Sequence, residues 1–233
     1  MFLVLAVIAL PTLLYLCRNI SDEKLWKFFK ITAVTLLILE VVKIIIPLAQ
    51  TGIFDWGEDL PLWLSSMFIY LLPFVAWGKD RVRKVAIDAI VVIFFFSGIL
   101  ALSMPLILYY YRTFSFFGLH SLIYHWLMIF VAILLFMRGH VKIEFKNVWL
   151  VLIPFLGMAV IAIIMNAIFG GDYMFLNDGR FSAFEMFNHL PQPLYIATVL
   201  LLHTVMFSVG AILFWGLGKA RLKLGIRMSG GGQ

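Results

Sequence analysis

The sequence predicts an all-α membrane protein, a seven-transmembrane helix bundle with its N-terminus outside and its C-terminus cytoplasmic. Three observations carry that expectation. Hydrophobic residues make up 64% of the 233 positions and charged residues only 13%, far from the balance of a soluble domain. The apolar residues gather into seven long stretches with short polar gaps between them. Fifteen of the eighteen Lys and Arg residues fall in alternate gaps. These basic clusters are Arg18/Lys24/Lys27/Lys30, Lys79/Arg81/Arg83/Lys84, Arg138/Lys142/Lys146 and Lys219/Arg221/Lys223/Arg227, whereas the other gaps hold Arg112 and Arg180 alone. By the positive-inside rule the basic gaps are cytoplasmic.

The spans run from about 1–16, 25–49, 60–77, 85–109, 116–137, 148–169 and 194–217, followed by a basic cytoplasmic tail at 218–233. Most reach or approach the ~20 residues that cross a ~30 Å hydrocarbon core at 1.5 Å per residue. The first is short and contains Pro11; it lacks a positive leading region and an A-x-A-like cleavage site, so a retained helix is expected rather than a signal peptide. No loop is long enough to bury a core of its own, which makes the chain one membrane domain of a multi-pass protein in the cell membrane. Its partners are then membrane lipids. The net charge of +6 needs no nucleic acid to explain it, since juxtamembrane basic residues meet anionic headgroups and no basic–aromatic repeat occurs. With one cysteine, Cys17, the chain has no internal disulfide and no Cys-based metal cluster. Neither metal nor other cofactor is expected, and oligomeric state is not legible.

Ionisable groups at membrane depth are costly and ask for a partner or a purpose. Glu40 and Lys43, three apart on the second span, share a helical face with the acid first, the favourable order. Their plain explanation is a self-neutralising ion pair; the functional one is an anchor for a zwitterionic headgroup or an orienter of a catalytic group. Asp88 lies one turn inside the basic end of the fourth span, where a local ion pair or a snorkelling carboxylate accounts for it. Following each span in its own direction brings Ser65 and Ser66, His120, Asn166 and Tyr195 towards the same outer level as Glu40 and Lys43, with His125 and His203 deeper. A serine in a span commonly bonds back to its own i−4 carbonyl. Convergence from five helices nevertheless predicts a polar cavity opening outward.

Between the last two spans runs Gly170-Gly171-Asp172-Tyr173-Met174-Phe175-Leu176-Asn177-Asp178-Gly179-Arg180. Paired glycines permit a sharp turn after the sixth span, and the Tyr-Met-Phe-Leu run folds back on the interface. Aromatics at 181, 184 and 187 fit a short helix capping the cavity. On these residues the chain resembles the bacterial YwaF-like integral membrane proteins: Asn166, then Gly170 and Gly171, then Tyr173, Met174, Phe175 and Leu176 follow that family's loop signature. Glu40 and Lys43, the Leu60-Pro61-Leu62-Trp63-Leu64-Ser65 opening of the third span, Gly98 with Pro105, and His125 extend the resemblance over 25–217. A eukaryotic relative of that family is similar to a transmembrane acyltransferase of ether phospholipids that uses a cysteine nucleophile and a histidine. The resemblance implies Ser65 as nucleophile and His125 as its base. Trp63 and Ser65 stand where the family has histidine and cysteine, a departure that leaves a weaker nucleophile.

Serine still performs acyl transfer when an imidazole takes its proton and donors hold the oxyanion. Asn166, Lys43 or Tyr173 are candidate oxyanion or headgroup donors, Glu40 or Tyr195 candidate orienters of a ring, and His120 and His203 further candidate binding residues. No Gly-x-Ser-x-Gly elbow, His-Glu-x-x-His pair, P-loop or dinucleotide fingerprint occurs, which removes the soluble enzyme classes. Two readings remain: a lipid acyltransferase or acyl-ester hydrolase, and a non-catalytic small-solute transporter, binder or scaffold. The last span holds no lysine over 194–217, which excludes a retinal Schiff base.

Overall fold

In a computed structural model the chain is all-α, with no strand among the described residues, which are 2–103, 112, 114–141, 143–144, 148–179 and 182–223. The expected span residues 104–109 with Pro105, the basic residues Lys142, Lys146, Arg180 and Arg227, and the tail beyond 223 lie outside them. Helix α1 covers Phe2–Cys17, α2 Asp22–Thr51 and α3 Met67–Trp77. Helix α4, Asp80–Ala89, runs through a π-helical turn at Ile90–Phe94 into α5, Phe95–Ser103. Then come α6 (Phe116–Met137), α7 (Val148–Phe169) and α8 (Gln192–Lys223), with 3-10 turns at Tyr173–Phe175 and Ala183–Phe187. Helices α2, α4–α5, α6, α7 and α8 are each long and apolar enough to cross a bilayer; α1 and α3 are shorter apolar helices.

Local chemistry sets the helix ends. Ser21 caps α2 by accepting from Lys24 N, and Asp22 and Glu23 in its first turn complement the helix dipole. Gly52, at φ 70°, closes the other end with its N–H on the Leu48 carbonyl. Ser115 caps α6 in the same way through Gly118 N. One expected boundary differs: the third span begins at Leu60 in the sequence reading, yet 60–66 form turns and the helix starts at Met67. Pro61 has no N–H to give, and the apolar side chains that follow it pack against the core, Trp63 on Tyr173 and Phe175 of another loop.

The π turn lies at the centre of the bundle, with all five of its residues buried. Phe68 of α3 meets Phe94 edge-on at 5.3 Å, and Phe155 of α7 meets Phe207 of α8 at 5.1 Å. Between helices in lipid no hydrophobic driving force exists, so close fit and polar contacts must hold them. Gly98 supplies the closest fit: a Cβ there would sit 2.7 Å from Ile129 Cγ1 and 2.9 Å from the His125 carbonyl on α6. Outward-facing positions are apolar, as Ile31, Val34, Ile38, Val41 and Ile45 of α2 illustrate.

Described members of all four basic clusters meet at one end of the bundle. The buried Arg138, just past α6, pairs with Asp22 at 2.6 Å and donates to the Arg18 carbonyl at 2.9 Å. Arg83 lies over the Trp26 ring at 4.7 Å, and Lys84 faces Glu144 at 3.6 Å. Arg221 of α8 caps α6 by donating to the Phe136 and Met137 carbonyls at 3.1 and 2.8 Å.

Candidate functional site

At the opposite end two loops interlock. Asn166, in the last turn but one of α7, pairs its side-chain amide with the backbone of Tyr173: its Oδ1 accepts from Tyr173 N at 2.8 Å and its Nδ2 donates to Tyr173 O at 3.0 Å. The Tyr173 hydroxyl then crosses to the α2–α3 loop, donating to the Trp56 carbonyl at 3.0 Å and accepting from Leu60 N at 2.9 Å. Burial pushes that phenol up to about 12, and the carboxylates of Asp55, Asp59 and Glu58 add to the effect. Trp63 meets Tyr173 and Phe175 at 5.6 Å each, and Trp56 stacks on Phe169 at 5.6 Å. Gly171 lies so close to the Gly57 carbonyl that any side chain there would collide with it. Met174 and Phe175 have φ of 57° and 58°, a left-handed region that costs a non-glycine residue about 1–3 kcal/mol. The Asn166 pair before them and the Tyr195 hydroxyl, which donates to Phe175 O at 2.8 Å, hold them there.

Asp172 organises the next turn by accepting from Asn177 N and Asp178 N at 2.8 and 3.1 Å. Burial raises its carboxyl from the ordinary 3.8 to about 6; the neighbouring Asp178 carboxyl adds to the rise and the two N–H donors oppose it. Beyond it, the expected capping helix is the 3-10 turn Ala183–Phe187. Phe184 packs on His203 at 4.9 Å, and Phe155 and Phe207 complete an aromatic surround. His203 Nδ1 faces the Val199 carbonyl at 2.9 Å. Asn166, Tyr173, Tyr195 and His203 thus belong to one architecture, with hydrogen bonds that shape the cap.

A second group forms where that cap meets α6. The Tyr124 hydroxyl donates to the Ser65 carbonyl at 2.8 Å, fixing the 60–66 turn on α6. The Tyr70 hydroxyl donates to the Pro61 carbonyl at 3.0 Å and closes the same turn on α3. His120, one turn from Tyr124, stacks on it at 5.7 Å and 11°. Lys43 and Glu40 of α2 pair with each other at 2.6 Å. Ser97, Thr12, Thr51, Thr198 and Thr204 each bond back to an i−4 carbonyl. Ser65, ahead of its helix, has no i−4 helical carbonyl to answer, and its hydroxyl donates to no other described residue. His125 is on the adjoining face of α6, its Nδ1 2.8 Å from the Ser121 carbonyl, an arrangement that leaves Nε2 as the acceptor.

The nine sequence-derived residues therefore fall into two sets. Ser65 and His120 meet at Tyr124, with His125 one face away, and Glu40 and Lys43 pair with each other on α2; Asn166, Tyr173, Tyr195 and His203 build the cap above α7 and α8. Tyr124 and Tyr70 were not singled out by the sequence. The i, i+4 spacing of His120 and Tyr124 is the one signal for the former; Tyr70 has none.

No curated protein and no solved structure matches the chain. The sequence model of the TMEM164 family matches residues 1–211, nearly the whole chain and both sets of residues. With five helices among the described residues long and apolar enough to cross a bilayer, this multi-pass membrane protein belongs to the TMEM164 family.

Proposed function

We propose that the protein is a lipid acyl-transfer enzyme, an acyltransferase or acyl-ester hydrolase, with the Ser65 hydroxyl as nucleophile and an imidazole of α6 as general base. The observation that supports it is the Tyr124–Ser65 contact, which joins the serine-bearing turn to the α6 face carrying His120. His120 shares that face, so geometry favours it as the base; His125 is the base the YwaF-like resemblance implies. As the bond from Ser65 Oγ to the ester carbon forms, the hydroxyl proton passes to the imidazole. Collapse of the tetrahedral intermediate breaks the ester C–O bond, and the imidazolium returns the proton to the departing alkoxide. The acyl group then leaves Ser65 for an acceptor hydroxyl, or for water, by the same steps. Lys43 is the donor suited to the developing oxyanion, with Glu40 fixing its position. With the basic clusters on the cytoplasmic side, this site would work from the outer half of the bilayer.

In nanodiscs containing a phospholipid with a labelled acyl chain, the wild type should release or transfer the label. Ser65→Ala should abolish turnover and His120→Ala should lower it about 100-fold or more. Turnover unchanged in Ser65→Ala would overturn the assignment, and loss in His125→Ala alone would move the base to that residue. A second reading, a non-catalytic binder, transporter or scaffold, draws on the Glu40–Lys43 pair as a complement for a zwitterion. Saturable binding of a zwitterionic solute without turnover would favour it.

A further inference from the structure

We propose that Tyr124 is a positioning residue for acyl transfer, the side chain that fixes the Ser65 turn relative to the imidazoles of α6; the inference rests on the reading of Ser65 as nucleophile. Its hydroxyl donates to the Ser65 carbonyl at 2.8 Å. Its ring stacks on His120 at 5.7 Å and 11°, and meets His125 nearly edge-on at 5.6 Å and 79°. Tyr124 therefore touches the residue that carries the nucleophile and both candidate bases. The ring is itself anchored in the core. Phe68 of α3, fully buried, meets it at 5.8 Å and 80°, and Phe68 in turn packs on Phe94 of the π turn. In an interior packed as densely as a crystal, a ring held this way has one place for its hydroxyl.

The tether matters because the Ser65 turn precedes α3 and lacks a regular helix to hold it. Within the turn the Ser65 carbonyl also accepts from Phe68 N at 3.0 Å, an i to i+3 bond of the 3-10 kind. A carbonyl has two lone pairs, and the Tyr124 hydroxyl takes the second. The ties from Tyr173 to Leu60 N and from Tyr70 to the Pro61 carbonyl lie at the far end of the segment, five and four residues before Ser65. Losing the Tyr124 hydroxyl would not orphan the Ser65 carbonyl, which keeps Phe68 N, so the effect on stability is small. The effect on chemistry is large: proton transfer from a hydroxyl to an imidazole needs hydrogen-bond reach, and a misplacement of about 1 Å costs about 100-fold in rate.

The test compares the full-length wild type, Tyr124→Phe, Tyr70→Phe and Ser65→Ala in nanodiscs containing the labelled phospholipid, and adds amide hydrogen exchange across 63–69 and the thermal midpoint. Tyr124→Phe keeps the ring contacts and removes the tether. It should lower kcat about 10- to 100-fold with KM within about twofold of wild type, speed exchange across 63–69 and retain the midpoint. Tyr70→Phe, which frees the far end of the same segment, should lower kcat by no more than about threefold. No wild-type turnover, or turnover that survives Ser65→Ala, overturns the nucleophile reading and this inference with it. With turnover present and dependent on Ser65, an undiminished kcat in Tyr124→Phe, or an equal fall in Tyr70→Phe, overturns the positioning role alone. A lowered midpoint with a raised KM in Tyr124→Phe marks a merely structural bond and overturns that role as well.

Discussion

Asn166 commits both halves of its amide to one residue, Tyr173, and that residue's hydroxyl carries the connection across to the α2–α3 loop. Removing the amide strands a buried N–H and a buried C=O, each worth about 1–3 kcal/mol. Asn166→Ala should therefore lower the thermal midpoint in detergent markedly. Asn166→Asp, which still accepts from Tyr173 N, should lower it less; equal losses would contradict the paired geometry. The Glu40–Lys43 pair makes a different demand, because at this depth one charge without the other is the costly state. Lys43→Met should destabilise more than Glu40→Gln combined with Lys43→Met, and equal effects would show that the two groups are not coupled. Asp172 governs the pH response of the cap. Its folded value, about 6, lies above the ordinary 3.8, so ionising it costs stability. That cost is absent below about 4, grows through 4–6 and is complete above 6. Asp172→Asn keeps an acceptor for the two backbone N–H groups. It should raise the midpoint at pH 7.5 and flatten the slope between pH 4 and 6; an unchanged slope would place the carboxyl in a different environment.

Among the elements, α5 and α6 depend on Gly98, where a Cβ meets a main-chain carbonyl that cannot move aside. Gly98→Val should cost about 1–3 kcal/mol or more, as overpacking does, read again as a fall in the midpoint. A neutral result would mean that the helices do not approach as closely as described. The helices themselves were legible because a 20-residue apolar stretch between basic gaps has few alternatives. Residues 60–66 were not. They are as apolar as a span, but their partners are Tyr173 and Phe175, more than a hundred positions away, and no local pattern separates burial in a loop from burial in lipid. The same limit hid the Tyr124–Ser65 contact. It also hid the cross-links of Arg138 to Asp22 and Arg221 to α6: the basic clusters were visible as a topological signal, their mutual contacts were not.

At the scale of the whole molecule the two ends have different chemistry. One end is tied by guanidinium groups on carbonyls, a carboxylate and an aromatic ring; the other is tied by tyrosine hydroxyls, an asparagine and glycine contacts, and it carries the serine. On the positive-inside rule the first end is expected to be the cytoplasmic one. Single-cysteine accessibility labelling in intact cells should then mark positions Asp55, Asp172 and Glu185 from outside and Lys79 and Lys223 only after permeabilisation; Asp172 and Lys223 on the same side would refute the topology. The central claim, acyl transfer through Ser65, is tested most directly by treating the purified protein in lipid with a lipid-like fluorophosphonate and locating the adduct by peptide mass spectrometry. The account predicts one adduct, on Ser65, lost in Ser65→Ala and strongly slowed in His120→Ala; a folded protein that remains unlabelled, or is labelled elsewhere, would contradict it.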